Sequence, residues 1–246
     1  MTHYLALTCE ALARSIYIAA ANSNNTISIQ LFRQGLHNTP NNLRAALQDE
    51  INAVEAGKYD ALLLAYGICG TSTVGLTSDH TQLVIPRAHD CITLYLGSHQ
   101  RYQEEFNRHP GTYWYSVDYI ERNDDGASVT LGAAGIEEQE NQYEEYVRKY
   151  GVENADLLME TMRGWMQHYS RAAFIDTGLG DNEPYEKVAR EKAEKEGWVF
   201  ERLQGNRRLV EMLIRGDWNE DEFLVVPPGH TIQQSIDDGL LKAVPI

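Results

Sequence analysis

The chain carries three cysteines, Cys9, Cys69 and Cys91, and each stands just behind a short apolar run. Cys9 ends the run that starts at Tyr4. Cys69 lies in the glycine-rich stretch Gly67-Ile68-Cys69-Gly70-Thr71-Ser72-Thr73-Val74-Gly75, behind Ala61 to Tyr66. Cys91 closes Pro86-Arg87-Ala88-His89-Asp90-Cys91, behind Leu83 to Ile85. Thiolates are soft metal ligands and good nucleophiles. If the three runs are neighbouring parallel strands, about 4.8 Å apart, their ends converge at one sheet edge. That carboxyl edge is where open α/β sheets bind ligands. Cys9 and Cys91 also sit where helices begin, and the free N–H groups there favour thiolate over thiol. His89 is then a fourth ligand or a proton carrier, and Arg87 is placed to hold an anionic substrate group. The competing explanation is three unrelated core thiols, because free cysteine is among the most buried residue types. No C-x-x-C is present, so zinc ribbons and thioredoxin-type motifs are excluded.

Two further stretches bear on ligand binding. Gly67, Gly70 and Thr71 form a loop whose backbone N–H groups can approach an anion, though it matches neither G-x-G-x-x-G nor a Walker sequence; a tight turn that places Cys69 is the simpler reading. Gly178 and Gly180, in Thr177-Gly178-Leu179-Gly180 ahead of a helix, are a second anion-binding candidate. Asp176 and His230 end strands and would face the cysteines across a cleft; a capping aspartate and a surface histidine are their ordinary roles. Trp165 with Met159, Met162 and Met166 reads as a core helix face.

The elements that must position these residues read as an α/β protein. Short strands are expected at Tyr4–Thr8, Thr26–Leu31, Ala61–Tyr66, Leu83–Ile85 and Thr112–Ser116, and then at Ala172–Asp176, Val199–Leu203 and Phe223–Val226. Ala61–Tyr66 is apolar on both faces, as a central parallel strand covered by helices must be. Helices are expected over Glu10–Asn22, behind Thr39-Pro40 with Leu43, Leu47, Ile51 and Val54 on one stripe, and from Cys91 to about Asn107. Others are expected over Glu137–Tyr150, Ala155–Tyr169, Pro184–Glu196 and Arg207–Arg215. Asp124-Asp125-Gly126 reads as a turn. The expected architecture is Rossmann-like, with parallel sheets, helices on both faces and two similar lobes. Residues 1–116 form the lobe with the cysteines, 117–170 a helical insertion that serves as a cap, lid or homodimer contact, and 171–246 the second lobe.

Composition narrows the function classes. The 246 residues are 43% hydrophobic and 23% charged, as in ordinary folded proteins. The net charge is −15, which disfavours nucleic acid and anionic lipid as partners. No apolar run is long enough for a membrane span, and no signal peptide opens the chain. Three cysteines make a disulfide framework improbable and a reducing cytoplasm the expected compartment. The acidic runs Glu137–Glu145 and Glu220–Glu222 read as solvated faces.

Ala6-Leu7-Thr8-Cys9-Glu10, Tyr66-Gly67-Ile68-Cys69-Gly70 with Val74-Gly75-Leu76, and Ile85-Pro86-Arg87-Ala88-His89-Asp90-Cys91 together resemble the family catalogued as domain of unknown function 1638. So does Phe223-Leu224-Val225-Val226-Pro227-Pro228-Gly229-His230. The resemblance spans nearly the whole chain. It implies no established activity, but a setting of corrinoid-dependent methyl transfer, with a corrinoid protein or a methyltransferase as a partner.

The residues and the resemblance lead to a metal-binding enzyme or accessory protein of corrinoid-linked one-carbon metabolism, acting on a small-molecule substrate. Zn2+ at Cys9, Cys69 and Cys91 would keep one open position to activate a thiol or heteroatom. A [4Fe–4S] cluster would keep one iron free, an arrangement similar to quinolinate synthase, although there the cysteines come from different domains. A metal-free thiol enzyme such as a racemase, and a non-catalytic metal- or corrinoid-handling module, are the alternatives.

Overall fold

The computed structural model describes residues 2–122, 139–158, 168–235 and 239–246. Among these, the strands in chain order are β1 (His3–Cys9), β2 (Thr26–Phe32), β3 (Ala61–Ala65), β4 (Leu83–Pro86), β5 (Thr112–Ser116), β6 (Arg171–Asp176), β7 (Val199–Gln204), β8 (Phe223–Val226), β9 (His230–Gln234) and β10 (Leu241–Pro245). The helices are α1 (Ala13–Ala21), α2 (Pro40–Asn52), α3 (Cys91–Leu96), α4 (His99–Arg108), α5 (Val117–Ile120), α6 (Gln139–Tyr150), α7 (Glu183–Glu196) and α8 (Arg208–Arg215). The protein is a mixed α/β chain with parallel sheets. It divides into two compact units, one of residues 1–102 with 205–246 and one of 103–204.

The first unit is built on a five-stranded sheet ordered β2-β1-β3-β4-β8. β1 to β4 run parallel and β8 runs antiparallel against β4. Every residue of β3 is buried, which explains its unbroken apolar sequence. Leu43, Leu47 and Ile51, one turn apart on α2, pack on Leu5, Leu7, Leu62, Leu64, Leu83 and Ile85. Ala6, Leu63 and Val84 point the other way by strand alternation, and α1 and α8 meet β1, β3 and β4. Thr39 does not cap α2 with its hydroxyl, which donates instead to the Leu36 carbonyl at 3.3 Å. Pro40 at the first helical position supplies the start.

The expected helix from Cys91 to Asn107 is two helices. Gly97, with φ 75°, ends α3 in a left-handed turn. A Cβ there would lie 2.5 Å from the Asn206 carbonyl oxygen, so close packing breaks the helix where its side-chain pattern would continue. A C-terminal hairpin that the sequence reading lacked, β9 against β10, fastens the glycine-rich loop: Gly75 N–H donates to the Ile232 carbonyl and Ile232 N–H to that of Leu76.

The second unit contains the parallel sheet β5-β6-β7. Strand pairing therefore differs from the expected lobes at two places. β5 pairs with β6 rather than with the cysteine-bearing sheet, and β8 joins β4 rather than β7. Its core sets Tyr113, Tyr115 and Phe174 against Ala189 and Ala193 of α7. Arg171 is buried at the start of β6, where Nη1 reaches Glu105 at 2.8 Å and Glu201 at 2.7 Å and Nε donates to the Thr112 hydroxyl. Residues 152–158 are helical. The turn at 124–126, and Met159, Met162, Trp165 and Met166, lie outside the described residues.

Candidate functional site

The backbone brings the three cysteine segments together. Cys9 is the last residue of β1 and pairs with Phe32 of β2. On its other side, the register Thr8 to Ala65 carried one step further sets Cys9 level with Tyr66. Beyond β3 and β4 the chain continues as two facing loops: Ile68 N–H donates to the Ala88 carbonyl and Cys69 N–H to that of His89. Gly67 makes that approach possible, because a Cβ there would fall 2.6 Å from the Asp90 nitrogen. Gly67 thus serves loop against loop, and the Thr73 hydroxyl holds its carbonyl at 3.1 Å.

Cys69, Gly70 and Thr71 are consecutive left-handed residues, with φ of 46°, 63° and 75°. For cysteine and threonine that conformation costs about 1–2 kcal/mol each. Backbone strain of this kind persists where surrounding structure enforces it, often at ligand sites. Here the Ser72 hydroxyl on the Cys69 carbonyl and Arg44 on the Thr71 carbonyl do so.

Electrostatics oppose the expected thiolates. None of the three cysteines is in a disulfide and all are partly exposed, yet the thiols of Cys69 and Cys91 are closely surrounded. Burial, then the Asp90 charge, push the Cys69 thiol up to about 12, against opposing hydrogen bonds with the backbone of Gly67 and Cys91. The Cys91 thiol is also raised, by burial, Asp90, Cys69 and Cys9 in that order. Tyr66 is raised by burial and then by Cys9, Cys69 and Glu10. The charges that act most strongly here are all negative. In the chain alone the thiols of Cys69 and Cys91 therefore keep their protons at neutral pH; desolvation outweighs the helix start at Cys91. Asp90 caps α3 through Oδ1, 3.0 Å from Ile92 N and 3.3 Å from Thr93 N, and burial raises its carboxyl to about 6.

His89 stacks against His99 and Tyr102, with ring centroids 5.4 and 5.5 Å away. Burial, then His99, lower its pKa, so it is neutral at pH 7 and free to ligate or accept a proton. Arg87 has a different task from the one its position suggested. Its Nε donates to the Glu220 carbonyl at 2.8 Å and Nη1 to those of Gly239 and Leu241 at 2.5 Å, which ties the C-terminal segment to the end of β4. Asp90, His99, Tyr102 and Tyr66 were not singled out by sequence. The signals were present: Asp90 is an N-cap residue beside a cysteine, and His99 and Tyr102 are one helical turn apart.

The remaining candidates stand elsewhere. Asp176 accepts from Arg202 at 2.6 Å and from Gly178 N–H at 2.8 Å, an ion pair and turn within the second unit. Gly178 and Gly180 have φ of 72° and 74°. Gly70 is exposed, with only Pro40 near its missing Cβ. His230 opens β9 in the first unit, its ring 3.2 Å from the Pro228 carbonyl.

A metal ion tests this donor set directly. Zinc needs thiolate sulfurs about 3.8 Å apart, as bonds near 2.3 Å in a tetrahedron dictate. Among the described residues no group of three or more His, Cys, Asp or Glu side chains is placed to hold one ion. Cys9, Cys69 and Cys91 act on one another electrostatically, with Asp90, in one electronegative neighbourhood.

No curated protein and no solved structure matches this chain. Residues 31–214 match the family model described as "Protein of unknown function (DUF1638)", a span that includes Cys69, Cys91 and the α3 cap and leaves Cys9 and β8 outside. As the match covers most of its length, the chain belongs to the DUF1638 family.

Proposed function

We propose that Cys9, Cys69 and Cys91 hold a [4Fe–4S] cluster, and that the protein uses it on a small-molecule substrate in one-carbon metabolism. The observation that carries this is three thiols gathered with Asp90 and Glu10 at one sheet edge, where the dominant charges are of one sign. A cationic centre compensates such a site and displaces its thiol protons. Among the described residues no three donors are placed to hold one ion, which weighs against zinc, and burial of Cys69 and Cys91, which raises their thiols, weighs against metal-free thiol chemistry of the racemase type. With three protein ligands, a bound cluster would leave one iron as a Lewis-acid position for substrate, and neutral His89, two residues from Cys91, would accept or return a proton. A corrinoid protein or methyltransferase as partner rests on the family resemblance alone, and the cytoplasm on the chemistry of reduced thiols. Two Rossmann-like lobes are the finer fold reading, supported by the alternation of strand and helix.

The test is anaerobic purification and reconstitution with iron and sulfide, followed by metal analysis and electron paramagnetic resonance of the reduced protein. About four irons per chain are expected, lost when any one of the three cysteines becomes serine. Stoichiometric zinc without iron would move the site to the zinc reading, and a chain that takes up neither would end both.

A further inference from the structure

β2 is the outermost strand of the five-stranded sheet, and its far edge meets no other strand among the described residues. Thr26 N–H donates to the Thr2 carbonyl at 2.9 Å, which sets the phase of the ladder with β1. Thr26, Ser28, Gln30 and Phe32 turn their backbone groups to β1, so Ile27, Ile29 and Leu31 turn theirs outward. Among the described residues nothing bonds the N–H groups of Ile27, Ile29 and Leu31 or the carbonyls of Ile27 and Ile29. The Leu31 carbonyl takes the adjacent Gln30 carboxamide at 3.4 Å. Every residue from Thr26 to Leu31 is exposed or half-buried, so another chain can reach this edge. Edges of this kind are normally blunted by a charge, a proline, a bulge or shortness. The opposite edge is: β8 has four residues and runs into Pro227-Pro228. β2 has seven, Thr-Ile-Ser-Ile-Gln-Leu-Phe, in unbroken register with β1 and without charge or proline.

We propose that the outer edge of β2 is a docking surface for a second copy of this chain, joined antiparallel about a two-fold axis through Ile29. The strand is its own complement in that register. Ile29 faces Ile29 of the partner subunit, Ile27 faces Leu31 of the partner subunit, and each outward N–H meets a carbonyl. Such a pairing is isologous, as a two-fold contact must be. Ile27, Ile29 and Leu31 also share one face of the sheet. Ile29 lies beside Ala6, whereas Ser28 and Gln30 lie beside Leu5 and Leu7 on the face that α2 covers. The three half-buried apolar side chains therefore continue as one row into those of the second copy. Charge selects the same edge. The chain carries −15, so two copies repel in general. Asn22 to Gln34 holds no acid and a single cation, Arg33, which falls opposite Asn25 of the partner subunit rather than opposite itself. Two acidic chains can thus meet here without like charges facing. The dimer needs neither the cluster nor the cysteines.

Sedimentation of the full-length, reduced, metal-free chain tests this, with amide hydrogen exchange read by NMR on the same samples. At about 100 μM, well above the micromolar Kd that a small interface supports, the chain should be a dimer. Ile29→Pro removes an outward N–H and no bond to β1, which an edge strand tolerates. Ile29→Lys leaves the backbone alone and sets two ammonium groups face to face. Each should raise the dimer Kd at least about tenfold. The amides of Ile27 and Leu31 should exchange faster in Ile29→Lys than in wild type, while those of Ser28 and Gln30 stay protected in both. Ile27→Lys should also weaken the dimer, and Leu31→Glu added to it should restore affinity, because antiparallel pairing sets each new cation opposite a new anion. A wild-type monomer at that concentration would overturn the proposal, and an edge kept for an extended segment of another protein would give that result. So would a dimer that both Ile29 variants leave intact, equal exchange of Ile27 and Leu31 in wild type and Ile29→Lys, or a double variant no tighter than Ile27→Lys alone. Should Ile29→Pro fail to fold, Ile29→Lys decides.

Discussion

Cys69 combines a left-handed backbone with a desolvated thiol, and the two properties separate under mutation. Cys69→Gly and Cys69→Ser both remove a proposed cluster ligand and should both abolish iron uptake. Only glycine relieves the backbone, so in urea unfolding Cys69→Gly should be more stable than Cys69→Ser by about 1 kcal/mol. Equal stabilities would mean that residue 69 is not strained. A second residue sets a pH dependence. Burial lowers the pKa of His37 despite its hydrogen bond with the Gln34 carbonyl. The folded chain thus binds that proton less readily than the unfolded chain, whose imidazole titrates near 6.5. The His37 contribution is intact above about pH 6.5 and is lost as pH falls through the lower folded value. The stability difference between wild type and His37→Gln should therefore narrow from pH 7 to pH 5. A constant difference, or a His37 ring titrating at or above 6.5 by NMR, would refute this.

Elements carry the site through close approach, and Gly67 is the sharpest case. In Gly67→Ala the new methyl would meet backbone at 2.6–2.8 Å, and backbone cannot swing aside as a side chain can. The loops bearing Cys69 and Cys91 should part, with a loss of about 1–3 kcal/mol and much weaker iron uptake, although no ligand is touched. Retained iron would show that the loops need not stay in register. The same element scale shows what sequence could tell. β3 was legible because burial on both faces leaves an unbroken apolar run, and α2 because Leu43, Leu47 and Ile51 keep helical spacing. The placement of the three cysteines at or just beyond strand ends followed from those strands. Partner choice was not legible: nothing in Thr112–Ser116 or Phe223–Val226 says which sheet each joins, because strand pairing depends on residues far away in sequence. The break at Gly97 had a local signal, a glycine able to end a helix in the left-handed conformation, but its close approach to Asn206 was not legible. The upward shift of the Cys69 and Cys91 thiols was not legible, because a helix start is visible in sequence and desolvation is not. The hairpin β9–β10 escaped because only Ile232 and Leu241 of it are buried, too few to make a pattern.

At the scale of the molecule, the two units have separate cores, and Arg171 belongs to one of them. Its removal leaves the buried Glu105 carboxylate without its closest cation, a loss of about 3–5 kcal/mol for a buried pair. In Arg171→Met, hydrogen exchange should quicken in β5, β6 and β7 while β1 and β3 keep wild-type protection. Uniform acceleration would show that the units unfold as one. The net charge of −15 adds a general term: self-repulsion is screened as the Debye length shrinks to about 8 Å at physiological salt, so Tm should rise with added sodium chloride.

The Arg87 carbonyl clamp also has a meaning in time. It joins residues 152 and 154 positions apart, and the first unit is made of two chain segments with 103–204 between them. As the chain leaves the ribosome, β1 to β4 must wait for β8 and the hairpin, while 103–204 can close on its own contacts as soon as it emerges. Closing so long a span is entropically slow. The segment made in the middle should therefore fold first, and the cysteine edge, though it begins at residue 9, should be among the last parts to take shape; pulse-labelled hydrogen exchange during refolding that protected β1 and β3 before β5 and β6 would reverse that order.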